Sequence, residues 1–105
     1  MTFLTHLGCS KCKSRYPAGR VYNLCPACGG PLLVYYDLDR ARAEWNRDSI
    51  HKGPRSMWRY GPLLPVSQPE SVVSLGEGMT PLLPTPRLGK RMNADRLYEI
   101  GRAHV

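Results

Sequence analysis

Apolar residues along the chain come in short bursts cut by glycine and proline, and few bursts keep one period for long. The longest is Leu32-Leu33-Val34-Tyr35-Tyr36, β-branched and aromatic enough for a strand. Val21-Tyr22 ahead of it reads as another strand. From Asp37 to Trp45 the period changes. Leu38, Ala41 and Trp45 fall on one face at helical spacing, and Asp37 is a credible N-cap. Gly53-Pro54 ends whatever follows that helix. Ser56-Met57-Trp58-Arg59-Tyr60 is dense in large side chains and reads as an anchor that packs a linker onto a larger body. Gly61-Pro62-Leu63-Leu64-Pro65 predicts an extended connection, because proline continues neither a helix nor a ladder, and residues 61–71 read as linker. Next, two glycines flank a lone carboxylate in Ser74-Leu75-Gly76-Glu77-Gly78-Met79-Thr80-Pro81-Leu82. That pattern fits equally a loop whose backbone closely approaches something and an ordinary turn before a strand. Leu88 to Met92 predicts one helical turn, and Arg96-Leu97-Tyr98 the start of a strand. Internal repeats and low-complexity tracts are absent.

Composition argues against a single self-sufficient core. Of 105 residues 42% are hydrophobic, and glycine and proline contribute ten each, the proline count being roughly twice average usage. A chain this small buries a modest fraction of its surface and often needs a staple. The net charge is +7, from 15 Lys and Arg against 8 Asp and Glu. A basic balance suggests nucleic acid, an anionic surface or a phosphorylated ligand. The arginines, however, are scattered from Arg15 to Arg102 with no block of five like charges, which reads as a solvated surface. No apolar run approaches a membrane-spanning length, and Met1-Thr2-Phe3-Leu4-Thr5-His6 lacks the pattern of a signal peptide. A soluble cytoplasmic protein is expected, with no membrane partner. In that compartment four cysteines are better metal ligands than disulfides.

Those cysteines read Cys9-x-x-Cys12, twelve residues, then Cys25-x-x-Cys28. Each pair brings two thiolates onto one tight turn, and two such turns offer four sulfurs in the tetrahedron that suits zinc. A filled tetrahedron leaves no open position for substrate, so the expected site is structural. The second turn, Cys25-Pro26-Ala27-Cys28-Gly29-Gly30, has proline to pre-set it and glycine to allow a positive φ. The first has Lys13 where glycine would be ideal and is expected to be less regular. Lys11, Lys13, Arg15 and Arg20 flank the site and should offset the net charge of four thiolates on one Zn²⁺. His6 is a conceivable substitute ligand, but with four cysteines present it reads as a nearby polar residue. Residues 1–36 are thus expected to form a small β zinc ribbon, with residues 37–73 as helix and extended linker.

Three stretches in this order resemble the front of the threonine synthases. The cysteine ribbon ends in Cys-x-x-Cys-Gly-Gly and runs into Val34-Tyr35-Tyr36-Asp37; Met57-Trp58-Arg59-Tyr60 precedes Leu63-Leu64-Pro65; and Ser74 to Leu82 is followed by Leu88-Gly89. The likeness covers residues 9 to about 98. It implies a two-domain pyridoxal-phosphate enzyme of fold type II, a lyase converting O-phosphohomoserine and water to threonine and phosphate, with the cofactor as a Schiff base on a lysine and its ring as electron sink. In that family the lysine sits in an Asn-Pro-Thr-Gly-Ser-Phe-Lys-like stretch, which this chain lacks, and Lys90 does not fit it. No catalytic or cofactor-binding residue is carried over. Gly76, Glu77, Gly78 and Thr80 match the family's signature and are expected to be substrate-proximal or to shape the loop before the first strand. Residues 74–98 are then the start of a truncated α/β catalytic domain, poorly ordered without its partner strands. The chain alone is expected to be inactive, and its small phosphorylated amino-acid substrate belongs to the full-length enzyme.

Residues 99–105 read as a non-native tail. Glu99 to Val105 can be back-translated as GAG ATC GGA AGA GCA CAC GTC, which from AGATCGG onward matches a common sequencing-adapter DNA. Two further readings stand beside the enzyme portion. One is a stand-alone basic zinc ribbon that binds nucleic acid, which leaves Gly76-Glu77-Gly78 without a role. The other is a related pyridoxal-phosphate enzyme with a different amino-acid substrate. Nothing in the pattern bears on oligomeric state.

Overall fold

The amino-terminal third folds around an antiparallel three-stranded sheet. In a computed structural model, which describes residues 2–101, β1 (Leu4–Cys9) lies between β2 (Arg15–Pro17) and β3 (Leu32–Tyr36). Leu7 faces Tyr16 on one side and Val34 on the other, and the register with β3 shifts between Leu4 and His6. Strand β3 lies where its apolar run predicts. Strands β1 and β2 escaped the hydrophobic pattern because Thr5-His6 and Arg15 interrupt it. Val21-Tyr22 is not a strand: Val21 is fully exposed, and the segment is the approach to the second cysteine turn.

Phe3 joins this sheet to the middle of the chain. Its amide donates to the Pro62 carbonyl (2.8 Å), its carbonyl accepts from the Asp37 amide (2.8 Å), and Arg40 lies over its buried ring at 5.6 Å. Helix α1 (Leu38–Glu44) starts as expected, with the Asp37 carboxylate accepting from the Arg40 amide at 3.0 Å. Its inward face is narrower than the spacing suggests: Ala41 is buried, but Leu38 is 64% exposed. A second helix, α2 (Arg47–Lys52), is capped by Asn46 and closed by Gly53. The Arg59 guanidinium donates to the carbonyls of Gly53 and Pro54 beyond its end.

Residues 61–63, expected to be extended, continue a helical segment that begins in the expected anchor. Two short 3-10 turns merge over Met57–Leu63 across a kink at Tyr60 (φ −98°, ψ 17°). The kink lets Pro62 start a new turn, where its missing N–H costs nothing. Tyr60 meets Trp45 edge to face at 6.5 Å. Thr2 donates to the carbonyls of Pro62 and Leu64, so residues 62–64 are tied back to the amino terminus. Another short 3-10 turn, Pro69–Ser71, lies in the rest of the expected linker.

The last unit is a two-stranded antiparallel ribbon, β4 (Leu82–Pro84) against β5 (Tyr98–Ile100), joined through α3 (Pro86–Arg91). The helix begins two residues before the expected turn because Pro86 occupies its first position. Thr85 donates through both its amide and its hydroxyl to the Leu97 carbonyl. Of the residues read as a tail, Glu99 and Ile100 pair with Leu83 and Leu82, and the Gly101 amide donates to the Pro81 carbonyl. Arg102 to Val105 lie outside the described residues. The radius of gyration is 18.5 Å, against about 13 Å for a compact domain of this length, so the unit does not fold into one ball with the sheet. No helix among the described residues is long and apolar enough to cross a membrane.

Candidate metal centre

All four cysteines converge. The sulfurs of Cys9, Cys12, Cys25 and Cys28 lie within 4.8 Å of one another. The two short edges cross between the turns: Cys9 to Cys28 is 3.4 Å and Cys12 to Cys25 is 3.7 Å. Those separations are too long for disulfides, whose sulfurs sit about 2.05 Å apart. The first cysteine of each pair is buried and the second is exposed.

The two turns repeat one backbone design. The Cys9 amide donates to the Ser14 carbonyl (2.9 Å), and the Cys25 amide donates to the Gly30 carbonyl (2.8 Å), five residues on in each case. The amides of Lys11 and Cys12 both reach the Cys9 sulfur at 3.4 Å. The Cys28 and Ala27 amides likewise lower the Cys25 thiol. The residue after each second cysteine is left-handed, Lys13 at φ +65° and Gly29 at φ +72°. The expectation of a less regular first turn is therefore overturned. Lys13 takes glycine's conformation, at a cost of about 1–2 kcal/mol for a side-chain-bearing residue. Gly30 is needed for a different reason: a Cβ there would lie 3.0 Å from the Cys9 sulfur.

Hydrogen bonds make the four thiols unequal. The Tyr16 hydroxyl, 3.1 Å from the Cys25 sulfur, pulls that thiol down to about 6, with burial opposing and the Cys28 and Ala27 amides assisting. The same bond raises Tyr16 above the ordinary tyrosine range, so its proton stays on oxygen. Ser14 lowers Cys12. Cys28 is pushed up to about 11: the Gly30 amide, which lowers it, is outweighed by the Cys9 sulfur, burial and the remaining sulfurs. Tyr16 and Ser14 escaped the sequence reading. Their signal was the two-residue spacing next to the first turn, which puts both on one side of a strand.

His6 stays outside the sulfur cluster. It stacks on Tyr35 at 4.7 Å with 8° between the rings, and its Nδ1 faces Thr5 and Arg15. Arg15 is always a donor, so that nitrogen accepts. Lys13 donates to the Ser10 carbonyl. Both cations thus act on the sulfurs only through space.

Gly76, Glu77, Gly78 and Thr80 lie in a separate loop. The Glu77 carboxylate accepts from the Ser74 hydroxyl and the Leu75 amide, both at 2.9 Å, while its carbonyl accepts from the Met57 amide at 3.0 Å. Gly76 and Gly78 both have positive φ, and a Cβ on Gly78 would run into the Met57 backbone nitrogen. Of the two readings left open for this loop, close approach holds for Gly78 alone, and what it approaches is the chain's own residues 56–57; Gly76 has open space around it. Lys90 sits on α3, away from any such cluster.

A soft metal ion is what four converging thiols can hold, and comparison with known proteins gives that site a setting. The chain is 33% identical to a threonine synthase of Methanocaldococcus jannaschii over 90 residues, 86% of this chain and 22% of the relative. It is 32% identical to a threonine synthase of Methanosarcina acetivorans over 93 residues, 89% of this chain and again 22% of the relative. A match that long takes in the second cysteine pair and residues 74–82 wherever it begins. The chain spans about a fifth of the length of these curated relatives. No family model matches, and no solved structure matches. The resemblance read from the three stretches therefore holds: along nearly nine-tenths of its length this chain is similar to threonine synthase.

Proposed function

We propose that the chain is the amino-terminal portion of a threonine synthase, a pyridoxal-phosphate lyase that converts O-phosphohomoserine and water to threonine and phosphate. The observation that carries this reading is the similarity to threonine synthases through 86–89% of the chain. Within the enzyme, residues 1–36 are a zinc-stapled ribbon, residues 37–73 connect it, and residues 74–98 open the catalytic domain. Zinc fits the sulfur cluster. A regular tetrahedron with bonds of about 2.3 Å has edges of about 3.8 Å, close to the 3.4 and 3.7 Å short edges. Thiolates also favour a soft, redox-inert ion. With all four positions filled, the metal organises the ribbon and takes no part in the reaction.

Pyridoxal phosphate would supply the electron sink of the reaction. Of the chain's lysines, Lys11, Lys13, Lys52 and Lys90, none lies in a Ser-Phe-Lys context, so we propose that these residues alone are inactive. Gly76, Glu77, Gly78 and Thr80 lie on the substrate side of the loop that leads into β4, with Glu77 holding the loop's shape. The nucleic-acid reading leaves Gly76-Glu77-Gly78 without a role.

Sequencing the gene past codon 98 tests the proposal. The expected result is an open frame leading to a lysine in a Ser-Phe-Lys context, with the adapter-like codons of residues 99–105 replaced. Native codons for Ile100 to Val105 followed by a genuine stop would overturn both the enzyme portion and the non-native tail.

A further inference from the structure

Ser14 and Tyr16 stand two residues apart at the entry to β2, so their side chains leave the same side of the strand. That side faces the sulfurs. The Cys12 thiol donates to the Ser14 hydroxyl at 3.1 Å, and the Tyr16 hydroxyl lies 3.1 Å from the Cys25 sulfur. One hydroxyl thus serves each cysteine turn, and the two sulfurs served form one of the short cross-turn edges. Tyr16 is held in place from two directions. Its backbone pairs with Leu7 in β1, and its ring packs against Tyr22 at 5.3 Å.

Four thiolates around a divalent ion leave two negative charges in excess. A metal-bound thiolate has no proton, so each hydroxyl then becomes the donor. Backbone amides already serve Cys9, through Lys11 and Cys12. The hydroxyls add donors that backbone alone does not provide.

We propose that Tyr16 and Ser14 are positioning residues of the metal centre, whose hydroxyls donate to the Cys25 and Cys12 thiolates and so set how tightly the four sulfurs hold a soft divalent cation. The inference rests on the reading of the cysteine cluster as a metal centre. Partners of this kind are worth about 10–100-fold in metal affinity when removed. Tyr16, anchored by strand and ring, carries the larger share; Ser14, on the exposed side, carries the smaller.

The test is titration of the full chain with Co²⁺, then competition by Zn²⁺, for the wild type and for Tyr16→Phe, Ser14→Ala and Tyr16→Leu. Tyr16→Phe keeps the ring and removes only the hydroxyl. It should weaken zinc binding about 10-fold and move the thiolate-to-cobalt charge-transfer band to lower energy, because a thiolate relieved of its hydrogen bond is a better electron donor. Ser14→Ala should move both readings the same way by less. Wild-type affinity and an unshifted band in Tyr16→Phe would overturn the proposal, and a loss seen only in Tyr16→Leu would make Tyr16 a packing residue and overturn it too. A wild-type chain that takes no cobalt into a four-thiolate site would overturn the metal centre itself, and the proposal with it.

Discussion

The sheet around the cysteines and the ribbon after residue 81 are both small, antiparallel and short of apolar cover, yet they are held in opposite ways. In the first, Cys9 and Cys25 are among the few buried side chains of the molecule, and the sulfurs converge from two turns of the same design. In the second, every residue of β4 and β5 is exposed, and Leu82 and Ile100 are 62% and 68% open to solvent. A two-stranded ribbon is marginal in water. The contrast teaches where each half must find its stability. The cysteine half brings four sulfurs together where a metal could staple it, whereas the β4–β5 half leaves every strand residue open to solvent.

The largest effect should come from removing the staple. Cys25→Ser, or a strong chelator, should unfold the three-stranded sheet, because metal binding worth about 10 kcal/mol is folding energy for such a unit. The amides of β4 and β5 should be unaffected. Hydrogen exchange read residue by residue checks both parts. Equal loosening of the two halves would break the comparison.

Next in size is the contact that joins the carboxy-terminal region to the middle of the chain. Gly78 has φ +96° and lies against Ser56 and Met57. Gly78→Val should release the 74–80 loop from Met57 at a cost of about 1–3 kcal/mol, because both the conformation and the space are denied to a branched side chain. Exchange at the Met57 amide should rise while metal affinity stays unchanged. A fall in metal affinity would mean that the two halves are coupled through this loop.

A smaller change sharpens the likeness between the two cysteine turns. Lys13→Gly should stabilise the zinc-loaded chain by about 0.5–1 kcal/mol, the left-handed strain relieved being partly offset by glycine's freedom in the unfolded state. Denaturant titration at saturating zinc reads it. Gly29→Ala should shift the midpoint the other way. No gain from Lys13→Gly would show that the Lys13 bond to the Ser10 carbonyl repays the strain.

How much of this was legible in the sequence follows the same divide. Cysteine spacing is a local covalent pattern, so the convergence of the four sulfurs, strand β3 and the Asp37 cap were all readable. Strands β1 and β2 were not, because Thr5-His6 and Arg15 break their apolar pattern and their pairing with each other and with β3 is not a local signal. Pro62 was misread because the kink at Tyr60 that admits it depends on packing against Trp45, which no local pattern announces. The regularity of the first cysteine turn was missed for a related reason: the preference of Lys13 for negative φ is overruled once Cys9 and Cys12 are fixed on the cluster. The pattern around Glu77 left a close approach and an ordinary turn equally open; Gly78 makes the approach, to Ser56 and Met57, whereas Gly76 has open space around it, and Met57 lies in a segment that was expected to be anchoring something else.

The smallest effect is in Glu77, and it bears on whether that residue serves the loop alone. Its carboxyl is held below the usual range by its own amide, the Ser74 hydroxyl and the Leu75 amide. A carboxylate with a depressed folded value stabilises fully above its unfolded pKa of about 4.3 and loses that contribution as pH falls through the folded value. Exchange at the Leu75 amide, corrected for the intrinsic rate, should therefore be constant from neutral pH to about 5 and should quicken below about 4. Glu77→Gln should show the quicker exchange at neutral pH and lose the acid step. The effect should be modest, since the bonds are near the surface and water competes for them. The cysteine half has no carboxylate in its cluster and should not share the step. In the longer enzyme proposed above, the same substitution separates two roles. A Glu77 that only shapes the loop should lower kcat and KM little and in parallel with the loosened exchange. A Glu77 that meets substrate should raise KM for the phosphorylated amino acid well beyond what the loop's loosening accounts for.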